Sequence, residues 1–288
     1  MKSTPPRRPG WQPPSRNSVR LTRRGRLVVT AACAMAVAGV IALTVTLALP
    51  DDRQPASAKT LTIPEGWRAS QVYAAVDKAL ALPEGTTLKA VPKADLKLPA
   101  EAKGNPEGYL YPATYPVTKR TTPQSLLAAM VATAAKKFSG PVVTGARSNA
   151  MSVYQVVTIA SVVQAEAATP ADMGKVARII YNRLARGMPL QMDSTINYAL
   201  NRSSVHTTEQ DTRLNSPYNS YNRMGLPPTP IGNPGHPAIE AAINPTAGDW
   251  LYFVTVKPGD TRFSSSYEEQ MANVTEFNQR RQAARAIG

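Results

Sequence analysis

The segment Val157-Thr158-Ile159-Ala160-Ser161-Val162-Val163-Gln164-Ala165-Glu166-Ala167 has the composition of an apolar helix with one carboxylate, Glu166, near its end. Ile159, Val162 and Val163 stand seven, four and three residues before it, on the same helical face. They are expected to form an apolar wall beside the carboxyl. Burial disfavours the charged form of an acid, and a helix C-terminus carries partial negative charge. Both effects raise the pKa, and a carboxyl still protonated near neutrality is a general acid. Taken alone, a glutamate at a helix end is more often a solvated surface group.

Four further segments follow in order: Tyr181-Asn182-Arg183-Leu184, Gly187-Met188-Pro189-Leu190-Gln191-Met192-Asp193-Ser194-Thr195, Ser216-Pro217-Tyr218-Asn219-Ser220-Tyr221 and Gly225-Leu226-Pro227-Pro228. Asp193 precedes Ser-Thr-Ile-Asn-Tyr and reads as the N-cap of a short helix, as a cleft residue, or as both. Asn182 and Arg183 lie beside the apolar stripe Ile179, Ile180, Leu184; they either lock neighbouring elements together or touch a ligand. Tyr218, Asn219 and Tyr221 fall in a segment without apolar periodicity, as binding residues or as a plug on the core. The proline-rich run 225–235 is expected to form a stiff wall.

Together with Glu107-Gly108-Tyr109-Leu110-Tyr111-Pro112, this ordered set resembles the MltG/YceG-like family of endolytic murein transglycosylases over roughly residues 60–280. The resemblance implies that Glu166 is the acid that protonates the glycosidic oxygen between N-acetylmuramic acid and N-acetylglucosamine. It also implies that Gln191, Asp193, Tyr218, Asn219, Tyr221 and Asn182 surround a saccharide. Gln191 would offer a neutral hydrogen bond to an acetamido or hydroxyl group. Most glycosidases use two carboxylates, and the stretch around Glu166 supplies no obvious second one; lytic transglycosylases do not require it. The chain departs from the family pattern twice. Gln164-Ala165-Glu166 stands for Glu-Lys-Glu, and Glu269-Gln270-Met271 stands for Glu-His-Asn. The family link implies peptidoglycan strands as substrate, peptidoglycan synthases (penicillin-binding proteins) as partners, and no cofactor.

The elements that must hold these residues read as α+β with helices dominant. Leu61-Thr62-Ile63 is a short strand, and a helix with Ser70 as N-cap buries Val72, Tyr73 and Val76. Thr122-Pro123, Ser152 and Thr169-Pro170 open three more helices. Residues 250–256 are the strongest strand signal; Lys257-Pro258-Gly259-Asp260 is a type II turn, and 261–264 return beside it as a small antiparallel sheet. A charged helix over about 267–286 closes the chain. Residues 60–105 form a reduced N-terminal module (a LysM-like remnant, by resemblance), and 106–288 the catalytic domain.

Net charge is +14, but residues 1–26 hold eight basic side chains and no acid, leaving +6 for the remainder. The excess is a tail effect and no argument for nucleic acid. The tail is expected to be disordered. Residues 27–49 are 23 uncharged residues, enough at ~1.5 Å per residue to cross a bilayer. Arginines precede this run, which places the tail in the cytoplasm and the bulk of the chain outside the plasma membrane. Residues 50–59 read as a linker. Cys33, the single cysteine, lies in the apolar run, which rules out an internal disulfide; two histidines, His206 and His236, are too few and too far apart for a metal cluster. The expectation is a membrane-anchored endolytic transglycosylase. The rivals are a non-catalytic wall-binding scaffold and a plain hydrolase.

Overall fold

The computed structural model describes residues 59–202 and 207–287. The expected tail 1–26, the membrane helix 27–49, nearly all of the linker and His206 lie outside these residues. Among the described residues no single helix is long and apolar enough to cross a membrane. Residues 58–288 form one compact unit.

Strand β1 (Thr60–Thr62) pairs antiparallel with β2 (Thr114–Pro116), with Leu61 opposite Tyr115. Leu61 and Ile63 point into the core because side chains alternate along a strand. Helix α1 (Ala69–Leu80) then buries Val72, Tyr73 and Val76. Ser70 is not its N-cap. The helix starts after Arg68, whose N–H donates to Gln71 Oε1 at 2.9 Å, and the Ala69 N–H donates to Glu107 Oε1 at 2.9 Å. A carboxylate 38 residues away in sequence thus satisfies an orphan donor of the helix. The segment 83–106 carries the short helix α2 (Thr86–Ala90) and two 3-10 turns.

Helix α3 (Pro123–Lys137) opens on Thr122, whose hydroxyl accepts the Ser125 N–H, with proline in the first turn. Helix α4 (Pro141–Ser148) follows. Helix α5 (Val153–Glu166) is the central helix of this unit. Ser152 caps it, and Val156, Val157, Ile159, Ala160, Val162 and Val163 are all fully buried. A helix apolar all round is a core helix. Its inner hydroxyls are satisfied: Thr158 donates to Tyr154 O, and Ser161 Oγ donates to Thr158 O while accepting the Ile231 N–H. Around it pack α4, α6 (Pro170–Ala185), α7 (Asp193–Ala199) and α8 (His236–Ile243).

The run 225–235 forms no helix or strand, as its prolines dictate, but most of it is not a cleft wall. Residues Ile231 to Gly235 are buried against α5. Asn233, fully buried, ties distant segments together: its side chain donates to Trp67 O and accepts the Leu110 N–H. The packing needs glycine. A Cβ on Gly108, which has φ +85°, would lie 2.6 Å from Pro230, and one on Gly232 would lie 2.8 Å from Gly66 O.

The C-terminal hairpin pairs β3 (Tyr252–Lys257) with β4 (Asp260–Ser264), Phe253 opposite Phe263. Gly259 supplies the positive φ of the turn. Helix α9 (Tyr267–Ile287) lies along the hairpin. The fold is therefore helix-rich α+β, with two separate two-stranded antiparallel sheets rather than one among the described residues.

Candidate active site

Glu166 is the last residue of α5, where Ala167 leaves helical geometry at ψ 125°. Its side chain reaches an open cleft of about 380 Å³. One wall of the cleft is Arg183, Leu190, Gln191, Met192, Asp193 and Tyr221; the other is contributed by the hairpin and α9. The expected apolar wall from the helix itself is absent from the lining. Ile159, Val162 and Val163 face the core with no exposure, and the cleft's exposed apolar surface comes from the hairpin and α9, from Phe253, Tyr267, Met271 and Val274.

The carboxyl is half-buried as a side chain but closely surrounded by protein. Burial pushes its pKa up, and the charge of Asp193 adds to the rise; the N–H of Ser194 pulls it back. The Ser194 N–H donates to Glu166 Oε1 at 2.8 Å and so fixes the carboxyl in orientation. The balance of these effects favours the protonated acid.

Asp193 begins α7 and caps nothing: its helix has no side-chain cap bond. Instead it faces the cleft, and its Oδ1 accepts the Tyr221 hydroxyl. The cleft therefore does contain a second carboxylate. Burial, reinforced by Asp193, holds the Tyr221 hydroxyl protonated far above neutrality.

Arg183, only 5% exposed, organises the cleft floor. Its Nε donates to Leu251 O at 2.7 Å, and Nη1 donates to Pro189 O, Leu190 O and Gln191 Oε1 at 3.0, 2.8 and 3.0 Å. Its guanidinium lies 5.2 Å from the Tyr252 ring centroid. One fork thus ties α6 to the 189–191 loop and to the entry of the hairpin. Gln191 sits at φ +53°, a strained position for a side-chain-bearing residue. It is held there by Arg183 and by donation of its N–H to Ser220 O at 2.9 Å. With Oε1 engaged, the Gln191 amide N–H groups are the part left for a ligand.

Three expected site residues lie elsewhere. Asn182 donates to Gly248 O and Trp250 O, which pins the approach to β3. Asn219 is fully buried; it donates to Thr212 O and Leu214 O and accepts the Tyr221 N–H, so it shapes the loop that presents Tyr221. Tyr218 packs against the Tyr198 ring at 4.9 Å, with its hydroxyl on Thr229. His236 is an exposed residue at the start of α8. Sequence reasoning missed Ser220, whose Oγ accepts the Met192 N–H and pairs with Thr195 Oγ1. It also missed the α9 wall. The only signal there was the Glu269-Gln270-Met271 departure, because Gln270 and Met271 do line the cleft.

The fold and the cleft define a helix-rich α+β protein that presents one orientated carboxyl, its pKa raised by burial, in an open groove. The chain belongs to the YceG-like family, whose profile matches residues 38–276. It is 35% identical over 253 residues to the endolytic murein transglycosylase of Streptococcus pneumoniae, a match covering 78% of this chain and 46% of that protein. It is 38% identical over 167 residues to the endolytic murein transglycosylase of Bacillus subtilis, covering 57% and 45%. The chain thus spans about half the length of the curated relatives it matches. The crystal structure of a yceG-like protein of Listeria monocytogenes superposes with a TM-score of 0.67 at 31% identity, covering 75% of this chain and 76% of that one.

Proposed function

We propose that the protein is an endolytic peptidoglycan transglycosylase, held at the plasma membrane by residues 27–49, with Glu166 as its general acid. The observation that carries this reading is the Glu166 carboxyl, fixed by Ser194 in an open cleft and biased toward its protonated form. The names of the relatives support the same reaction class. Glycan strands in the growing wall would be the substrate, and glycan-polymerising synthases the partners.

In the proposed reaction the Glu166 proton moves to the oxygen that links N-acetylmuramic acid C1 to N-acetylglucosamine, and the C1–O bond breaks. The muramoyl C6 oxygen bonds to C1, and its proton passes to Glu166. The product carries a 1,6-anhydro end, and the acid is regenerated. The nucleophile belongs to the substrate, so its effective concentration is set by geometry alone. The negative charge of Asp193, beside Glu166, steadies positive charge developing at C1. The Gln191 amide donates to a hydroxyl or acetamido oxygen.

Asp193 also gives a second reading an observation of its own. A carboxylate facing the same cleft could activate water, which would make the protein a hydrolase. Mass spectrometry of the fragment ends separates the two. Anhydro ends are expected; reducing ends would replace the transglycosylase with the hydrolase.

A further inference from the structure

The cleft wall opposite Glu166 has a feature that the chemistry at the carboxyl does not use. Helix α9 is polar over most of its surface, yet Tyr267, Met271 and Val274, at i, i+4 and i+7, lie on one face and line the cleft. Tyr267 is 65% exposed and Met271 42% exposed, two of the few large apolar side chains left open to solvent among the described residues. The Tyr267 ring meets that of Tyr252 edge-on, with centroids 6.1 Å apart and planes at 63°. Tyr252 is in turn backed by the Arg183 guanidinium. The shelf is thus built on a braced ring.

No charge is offered along this face. Gln270, between the apolar residues, has its amide engaged at both ends: it donates to Phe253 O at 3.2 Å and accepts the Ser264 hydroxyl at 3.0 Å. The charged groups of the cleft, Glu166, Asp193 and Arg183, line it with the loop 189–193 rather than on α9. A ligand lying across the cleft therefore meets polar and charged groups near Glu166, and uncharged aromatic and thioether surface on α9. That division matches a pyranose chain, whose rings have hydroxyl-bearing edges and C–H faces. An aromatic ring offers its face to C–H groups, and a methionine thioether adapts to irregular apolar surface.

We propose that Tyr267, braced by Tyr252 and extended by Met271 and Val274, is a saccharide subsite that holds a sugar of the glycan strand beyond the scissile bond. This rests on the transglycosylase reading and adds a determinant of strand-length preference to it.

The test is a binding series in the Glu166→Gln protein, which would hold strands without cutting them. Affinity is measured for peptide-free glycan strands, for strands with stem peptides, and for the single disaccharide, with Tyr267→Ala, Tyr267→Phe and Met271→Ala added in turn. Tyr267→Ala is expected to weaken peptide-free strands roughly tenfold (about 1.4 kcal/mol). Tyr267→Phe should retain the affinity, and the disaccharide should be unaffected. Because Tyr267 is largely exposed, the melting temperature should not move. Unchanged strand affinity in Tyr267→Ala overturns the subsite. A loss confined to peptide-bearing strands overturns its assignment to sugar and gives the shelf to the stem peptide. If the unsubstituted protein releases no fragments and Glu166→Gln binds no strand, the transglycosylase reading itself has failed. That outcome is distinct from intact cleavage combined with an indifferent Tyr267.

Discussion

The Ser194 N–H points at Glu166 Oε1 from 2.8 Å, joining the first turn of α7 to the last residue of α5. This single bond sets the direction of the acid and moderates its proton affinity. Asp193, the neighbour of Ser194 on the same turn, acts the other way: its charge adds to the rise that burial causes in the Glu166 pKa. Replacing Asp193 with asparagine removes that charge, so the Glu166 pKa should fall. A reaction that needs protonated Glu166 slows as pH passes that pKa. The basic limb of kcat/KM should therefore move to lower pH in Asp193→Asn. A limb that stays in place, or moves to higher pH, contradicts the role given to Glu166.

Arg183 is expected to tolerate lysine poorly. Its planar fork makes bonds to Leu251, Pro189, Leu190 and Gln191 that one ammonium cannot reproduce together. Losing two of them in a buried setting costs on the order of 2–4 kcal/mol. Arg183→Lys should lower the melting temperature by several degrees and reduce kcat/KM more than tenfold, because Gln191 loses the partner that holds its strained backbone. Wild-type stability in Arg183→Lys would remove this residue from the account.

Glu107 makes stability depend on pH. Its carboxyl is 4% exposed; burial pushes it up to about 7, while the Ala69 N–H, the Tyr198 hydroxyl and the Arg68 charge pull it down. The folded protein therefore binds this proton more tightly than the unfolded chain, where the value is 4.5. The resulting support for the fold is full below the unfolded value and is lost as pH rises through about 7. Its upper bound is about 3 kcal/mol. Urea titrations at acid and mildly alkaline pH should show that decline in the wild type. It should be smaller in Glu107→Gln, which imitates the protonated acid. Equal declines would show that the group does not titrate in this range.

Gly108→Ala should destabilise the fold by roughly 1–3 kcal/mol, through both the positive φ and the 2.6 Å approach to Pro230. Gly259→Ala tests the backbone term alone, since nothing stands within 4 Å of its Cβ position. Its thermal shift should be the smaller of the two.

Local signals were legible in the sequence. Thr122 and Ser152 mark helix starts because a capping hydroxyl followed by proline or a polar third residue is a short-range pattern, and Thr169 marks one through the Pro170 that follows it, although its hydroxyl donates to Asp172 and accepts no N–H. The hairpin was legible from Pro258-Gly259 for the same reason. What failed was long-range. Asn182, Asn219 and Tyr218 look like ligand groups in a list of residue types, yet their partners are backbone carbonyls or rings fixed by the tertiary fold. The Ser70 cap lost to Glu107, which the fold brings to the helix start. Asp193 was weighed as a cap because Asp before Ser-Thr is a capping pattern; Tyr221, 28 residues on, engages it in the cleft instead. The α9 wall left no trace beyond the Glu269-Gln270-Met271 departure, since α9 has little amphipathic signal and its position depends on the hairpin.

The most direct measurement is digestion of uncrosslinked glycan strands by the protein and by Glu166→Gln, with mass spectrometry of the fragments. The account predicts internal fragments with 1,6-anhydro ends from the first and none from the second, while both bind the strands. Fragments from Glu166→Gln at the wild-type rate, or strand binding without fragments from either protein, would contradict it.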